Sequence, residues 1–307
     1  MTQSSFLKKL RTVLQWGLVV AIFIFIFKKY PAQELWKSMQ GGLWVPLMLY
    51  AIAYFVFMWV VDAWGLTFFF TRYGGHPLRF LDLLRVRASS YLVQMVNYGA
   101  GQAVLAYFLS EKEEIPLKRA TGFVIFLSLV DLYWIITMAF IGTFFAPPIL
   151  EGTDLQSFVS PIWAAATALF IFMLLYPRFR LWSKIMEKIR FRHFLLVLLI
   201  RIPMHLVLIT SFYFVPYCFH AHIPFYRILT AMPIVMFIGT LPITPGGFGT
   251  FQIAFVGFFK NFLTSTQPVN ITSLLLSMSL VWTFLNYILK GLSGAFVLVF
   301  KPHRRAS

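Results

Sequence analysis

The chain has 307 residues, 60% of them hydrophobic and only 12% charged, with a formal net charge of +16. A soluble domain carries roughly 25% charged residues, so the composition excludes a soluble enzyme or binding module and describes a polytopic membrane protein. Lys and Arg lie almost wholly in the gaps between apolar runs rather than on one motif-bearing face, which excludes a nucleic-acid binder and fits topology determinants and contacts with anionic lipid.

In chain order, an apolar run at 12–27 follows Lys8, Lys9 and Arg11 and ends at Lys28-Lys29-Tyr30. No small-residue cleavage site follows it, so it is expected to be an uncleaved first span rather than a signal peptide. It is short for a crossing of about 20 residues, and Lys28 and Lys29 are placed to snorkel outward. A second span is expected at 43–70 and carries Asp62; residues 72–87 then form a basic, partly amphipathic segment that turns at Gly74-Gly75. From 88 to 109 the chain is too polar for a plain span, with Ser89, Ser90, Gln94, Asn97 and Gln102, and Gly99-Ala100-Gly101 cuts it. Two half-helices meeting at those glycines are expected. In the following turn Ser110 with Glu113 fits a capping box and Pro116 fits a first helical turn.

A third span at 119–146 holds Asp131, about a dozen residues in, roughly 18 Å along a helix and hence near the midplane. The fourth is expected at 161–176, followed by the most basic loop of the chain, and the fifth at 194–217, where Arg201 and His205 are one helical turn apart. Apolar half-segments at 225–241 and 248–263 flank Leu241-Pro-Ile-Thr-Pro-Gly-Gly-Phe-Gly-Thr-Phe-Gln252. The last span, 271–299, carries Asn286 and Lys290 at the same four-residue spacing.

With both termini cytoplasmic and both broken pairs re-entering without crossing, 19 of the 26 Lys and Arg residues fall on the cytoplasmic side and 5 outside, a bias that sets orientation in a cell (inner, cytoplasmic) membrane. Span, span, broken pair, span then occurs twice in opposite directions, at 12–146 and 161–299. The Gly99/Gly101 and Gly247/Gly249 elements are about 148 positions apart. The expected fold is therefore an all-α polytopic membrane protein, one integral domain over 1–307 with about six full spans and two re-entrant broken-helix pairs arranged as an inverted repeat. Two through-crossing helices in place of the second re-entrant pair would leave the charge count nearly unchanged.

Lipid cannot hydrogen-bond a freed N–H or C=O, so broken backbone at membrane depth survives inside protein or beside a watery cavity. That makes Gly99, Gly101, Gly246, Gly247 and Gly249, with Pro242 and Pro245, candidates for a substrate site. Helix N-termini after the breaks would offer N–H groups to a phosphate, while close helix packing through small residues is the competing role. Gln102 and Gln252 sit just inside those half-helices, and Asn97 just before the first. Asp131 deep in a span is a functional candidate by default, for proton coupling or for pairing with Asn286, Lys290 or Arg201. Arg201 and Lys290 are placed to hold a headgroup phosphate or to snorkel. His220-x-His222 has no further metal ligands near it in sequence, and the single Cys218 rules out an internal disulfide or a CxxC site. No catalytic constellation, metal or cofactor is expected.

The Pro242-Ile-Thr-Pro245-Gly246-Gly247-Phe-Gly249-Thr-Phe-Gln252 stretch resembles the transmembrane domain of lysylphosphatidylglycerol synthases and related flippase-like membrane proteins, whose signature reads roughly P-x-x-P-G-G-x-G-x-x-E. Asn97-Tyr-Gly-Ala100-Gly101-Gln102 with Arg119-Ala120 and Leu129-Val-Asp131-Leu132 looks like that family's second signature, a P-x-R-A-G-E block leading to R-x-x-D. The departures are charged positions: Gln102 and Gln252 replace glutamates, the arginine near Gly99 is absent, and Ser128 stands where an arginine would precede Asp131. The resemblance implies movement of charged or phosphorylated lipids between leaflets. The lost charges imply a different headgroup or a non-transporting member, and without a soluble aminoacyl-transferase domain synthesis of lysyl-lipid is not expected. The leading expectation is a translocase of a phospholipid or polyprenyl-phosphate-type lipid, accepted in a cavity between the halves. A membrane-embedded headgroup transferase, or a non-transporting scaffold for lipid or envelope synthesis, is the alternative. Membrane lipids with anionic or phosphate headgroups are the expected partners, with copies of the chain or an envelope-synthesis protein as further candidates.

Overall fold

The computed structural model describes residues 31–74, 78–95, 97–113, 116–145, 155–175, 191–241 and 243–299, with isolated positions at 17, 20, 24 and 28. The expected first span therefore lies almost wholly outside the described residues. The elements are α1 (Ala32–Gln40), α2 (Trp44–Phe69, running into a π-helical turn Phe70–Gly74), α3 (Phe80–Gln94), α4 (Tyr98–Glu113), α5 (Leu117–Phe145) and α6 (Leu155–Leu175). After them come α7 (Phe191–Cys218), β1 (Ala221–His222), α8 (Phe225–Thr240), a 3-10 turn (Pro245–Gly247), α9 (Thr250–Phe259), β2 (Thr264–Ser265) and α10 (Ile271–Val299). The protein is an all-α polytopic membrane protein. Among the described residues four helices are long and apolar enough to cross a bilayer: Trp44–Arg72, Leu117–Phe144, Leu195–Cys218 and Ile271–Val297.

The helical segments follow the apolar runs closely, because a bilayer allows a lone segment no other way to satisfy its backbone. Residues 80–94 are helical, and Arg87, at the end of the segment expected to be amphipathic, is buried in that helix. Two local readings are corrected. The break between α3 and α4 falls at 95–97, ahead of Gly99 and Gly101, which lie in the opening turns of α4. Ser110 and Glu113 lie within α4 and do not open a helix; the next helix starts after Pro116, whose carbonyl accepts from the Arg119 N–H at 2.7 Å.

The chain forms two compact units. The first draws on Met1–Leu49, Met138–Ser157 and Ile209–Phe284, the second on Tyr50–Thr137, Phe158–Leu208 and Leu285–Ser307. Neither coincides with 12–146 or 161–299, but each holds one broken pair: α8–α9 in the first and α3–α4 in the second.

In the first unit α8 packs on α9, and β1 pairs antiparallel with β2, Ala221 opposite Ser265. Small hydroxyl residues let α1 sit on α10: Ser273 Oγ donates to Glu34 Oε2 at 3.1 Å and Ser277 Oγ to the Leu35 carbonyl at 3.2 Å. Leu35 closes the contact against Leu276 and Leu280. Gly142 on α5 lies where a Cβ would be 2.5 Å from Thr230 Cα, and Thr230 Oγ1 donates to the Gly142 carbonyl at 3.1 Å, so glycine sets the crossing of α5 and α8.

In the second unit α3 and α4 pack as a helical hairpin. Its core is aromatic: the Phe123 ring meets those of Phe69 and Phe70 edge-on at 5.3 Å each, with Leu83 and Leu105 of the hairpin buried in the same cluster. Two tryptophans pin helices through polar bonds in an apolar setting. Trp59 Nε1 on α2 donates to the Leu84 carbonyl of α3, and Trp134 Nε1 on α5 to the Leu198 carbonyl of α7, each at 2.9 Å. A buried indole N–H needs such a partner.

Candidate functional site

Five helices of the second unit contribute polar side chains to one spot. Arg201 and His205 project from the same face of α7 because they are four residues apart, which is the pairing their spacing predicts. Arg87 comes from α3, on a buried stripe with Leu83, Ser90 and Tyr91. Asp62 comes from α2, Ser128 and Asp131 from α5, and Gln102 from α4.

Asp62, 2% exposed, is the centre of the arrangement. Its Oδ2 accepts from Arg87 Nε, and its Oδ1 accepts from Arg201 Nη1 at 2.5 Å. Arg201 then turns its Nε towards Asp131 Oδ1 at 3.5 Å, and His205 Nε2 lies 3.4 Å from the same oxygen. Isolated charges at this depth are costly, and the arrangement holds because each carboxylate is faced by cationic or hydrogen-bonding groups.

The ion-paired groups border a small cavity with an empty volume of ≈ 210 Å³, open space at its mouth included. Its polar lining is Asp62, Arg87, Gln102, Ser128, Asp131 and Arg201, and leucine and valine side chains form the rest of the wall. Arg87 is 8% exposed, and its Nη1 is buried with no hydrogen-bond partner among the described residues. The Arg87 guanidinium lies 5.1 Å from the centre of the Tyr91 ring, and Lys290 Nζ from α10 lies 5.8 Å from the same ring. Three cationic side chains therefore attend two carboxylates.

Of the residues expected from sequence, Gln102, Asp131 and Arg201 meet around this cavity, and Lys290 approaches the Tyr91 ring that Arg87 also faces. Asn286 is half-buried one turn before Lys290. Asn97 caps α4, accepting the Ala100 N–H on Oδ1 at 2.9 Å. Gly101 is where α3 comes closest to α4: a Cβ there would lie 2.6 Å from Gln94 Cβ and 2.8 Å from its Cα, whereas at Gly99 the nearest atom would be 3.4 Å away. Arg87 and Asp62 were not among the site residues read from sequence. The buried stripe at three- and four-residue spacing through Leu83, Arg87 and Ser90 was the available signal for Arg87.

The 242–252 group belongs to the first unit, and Pro242 is outside the described residues. Pro245–Gly247 form a 3-10 turn, with Gly246, Gly247 and Gly249 at φ of 60°, 75° and 86°. Gly247 is left-handed and sits against the Gly239 carbonyl, where a Cβ has no room. Much of the polarity here is spent inside the turn. Fully buried Gln252 accepts the Gly249 N–H on Oε1 at 2.7 Å and donates from Nε2 to Thr283 Oγ1 at 3.2 Å. Thr250 Oγ1 donates to the Gly247 carbonyl at 3.1 Å. Gln252 thus serves the architecture of the turn, where an amide in place of a carboxylate both accepts and donates.

Among comparisons with known proteins, the family model described as Lysylphosphatidylglycerol synthase TM region matches residues 12–294. No curated protein and no solved structure matches the chain.

Proposed function

Because the chain belongs to the lysylphosphatidylglycerol synthase TM-region family, we propose that it is a lipid translocase that passes a phospholipid or polyprenyl-phosphate-type lipid between the leaflets of the cytoplasmic membrane. The observation that carries this reading is the ion-paired cluster of Asp62, Arg87, Arg201 and Asp131 bordering a cavity among apolar helices. Ionisable groups inside a membrane mark substrate or ion pathways far more often than they stabilise a fold.

The broken pairs give further support. Helices α3, α4, α8 and α9 have 15, 16, 16 and 10 residues, each short of the roughly 20 needed to cross. Re-entrant hairpins in two oppositely directed repeats account for those lengths, and such discontinuous elements accompany transport sites. The bias of Lys and Arg supports a topology with both termini in the cytoplasm.

Purified protein in liposomes carrying headgroup-labelled lipids tests the proposal. Protein-dependent movement of label between leaflets is expected. A new lipid species instead would indicate a headgroup transferase, and neither movement nor product a scaffold. Asp131→Asn keeps the side-chain shape and leaves the Asp62 pairs in place; it is expected to lower translocation at least tenfold while folded protein is recovered at near wild-type yield, as judged by size-exclusion chromatography.

A further inference from the structure

The cavity bordered by Asp62, Arg87 and Arg201 also has a chemical preference. This inference rests on the lipid-handling reading above and deepens it by naming the group the site takes. Both oxygens of Asp62 are occupied by guanidinium groups, and Asp131 is faced by Arg201 and His205. Gln102, which lines the same cavity, is neutral. No carboxylate among the described residues of the site is left over to receive an ammonium group.

Donors, in contrast, are in surplus. Arg87 Nη1 is buried and has no partner among the described residues, and a buried donor left so is costly. A water molecule would supply one bond to it and no charge. Arg87 and Lys290 approach the same Tyr91 ring, at 5.1 and 5.8 Å from its centre, so two cations share one neighbourhood in a medium that screens charge poorly. An anion at Arg87 satisfies the donor and offsets the excess charge at once.

We propose that this cavity is an oxyanion site for a phosphate group that bears no amine, with Arg87 as the principal donor and Lys290 as the supporting cation. A headgroup phosphate and free phosphate share this chemistry. An aminoacylated or other amine-bearing headgroup is disfavoured, because its cation would enter a site already rich in positive charge.

The test uses the full-length protein in detergent with three probes: short-chain phosphatidylglycerol, short-chain phosphatidylethanolamine and inorganic phosphate. Binding is read by native mass spectrometry and by the shift in unfolding temperature. Phosphatidylglycerol is expected to bind at least tenfold more tightly than phosphatidylethanolamine, and Lys290→Gln to weaken it roughly tenfold, the scale of one charge-assisted hydrogen bond, without lowering the unfolding temperature of the lipid-free protein. Arg87→Lys keeps a charge towards Asp62 but removes Nη1, and should weaken binding similarly; should that variant fail to fold, Lys290→Gln alone decides. Stabilisation by inorganic phosphate that competes with the lipid supports the oxyanion site and identifies free phosphate as an occupant; stabilisation by phosphatidylglycerol alone supports it with a lipid headgroup as occupant. Equal binding of the two lipids, or phosphatidylglycerol binding insensitive to Lys290→Gln, overturns the proposal. Selective binding without any lipid movement would sink the translocase and leave this site standing, whereas lipid movement indifferent to Lys290 would do the reverse.

Discussion

Asp62 holds two guanidinium groups at once, one through each carboxylate oxygen. Removing a partner from a buried ion pair costs about 3–5 kcal/mol, since the remaining charge has neither water nor counter-charge. Asp62→Asn is therefore expected to cost at least about 3 kcal/mol and to reduce the yield of folded protein, measured by thermal unfolding in detergent. Asp131, half-buried and at longer distances from its partners, should tolerate the same change with a smaller shift. Sequence spacing was enough to put Arg201 and His205 on one face, because four-residue periodicity is a property of the helix alone. It did not reveal that Asp62 is shared between Arg87 and Arg201, which depends on where α3 and α7 are packed. Arg87 was further disguised by its neighbours Arg72, Arg79 and Arg85, which made the whole stretch read as a basic, partly amphipathic segment.

At the scale of elements, the α3–α4 hairpin owes its tightness to one glycine. Gly101→Val would push a side chain into the backbone of Gln94, and a cost of about 1–3 kcal/mol is expected from such overpacking. Gly99→Ala, two residues earlier, meets only ordinary contact and should leave the unfolding temperature within a degree or two of wild type. The comparison separates a packing role from the anion-binding role that both glycines invite by their sequence context. The pattern of apolar runs placed the long apolar helices but not the polar α1, and the hairpin's turn was expected at the glycines and is found at 95–97. Asn97 explains the shift: its side chain caps the new helix, and a capping residue followed by glycine reads equally well as a helix start or as a broken helix. Likewise Ser110 and Glu113 matched a start signal but lie inside α4, a local cue overridden by the continuing hairpin contact. In the other unit the Pro and Gly cluster did mark a true break, because Gly246, Gly247 and Gly249 all need positive φ, a demand visible in their residue type.

For the molecule as a whole, the matter to test is how the short helices meet the bilayer. Cys218 is buried, so a second cysteine can be placed against a quiet background. With Asn97→Cys in oriented vesicles, a re-entrant α3–α4 hairpin entering from the cytoplasm predicts no labelling by a membrane-impermeant maleimide from the outer side. Labelling there as strong as at an outer loop position would mean that both helices cross fully and that the inverted-repeat reading fails. Composition made the class legible, since it is set by transfer of single residues into lipid. The ion-paired cluster was only partly legible, since it is assembled from five helices whose mutual packing no spacing rule encodes.

Arg87 is carried on an arm whose outer half is fastened to α2 by the indole of Trp59 at Leu84 and whose tip is shut against α4 at Gly101. Whatever grips that guanidinium would also grip the arm, and an anion bound at Arg87 is expected to slow it. Amide protons of residues 80–94 should exchange with deuterium more slowly with phosphatidylglycerol bound than without it.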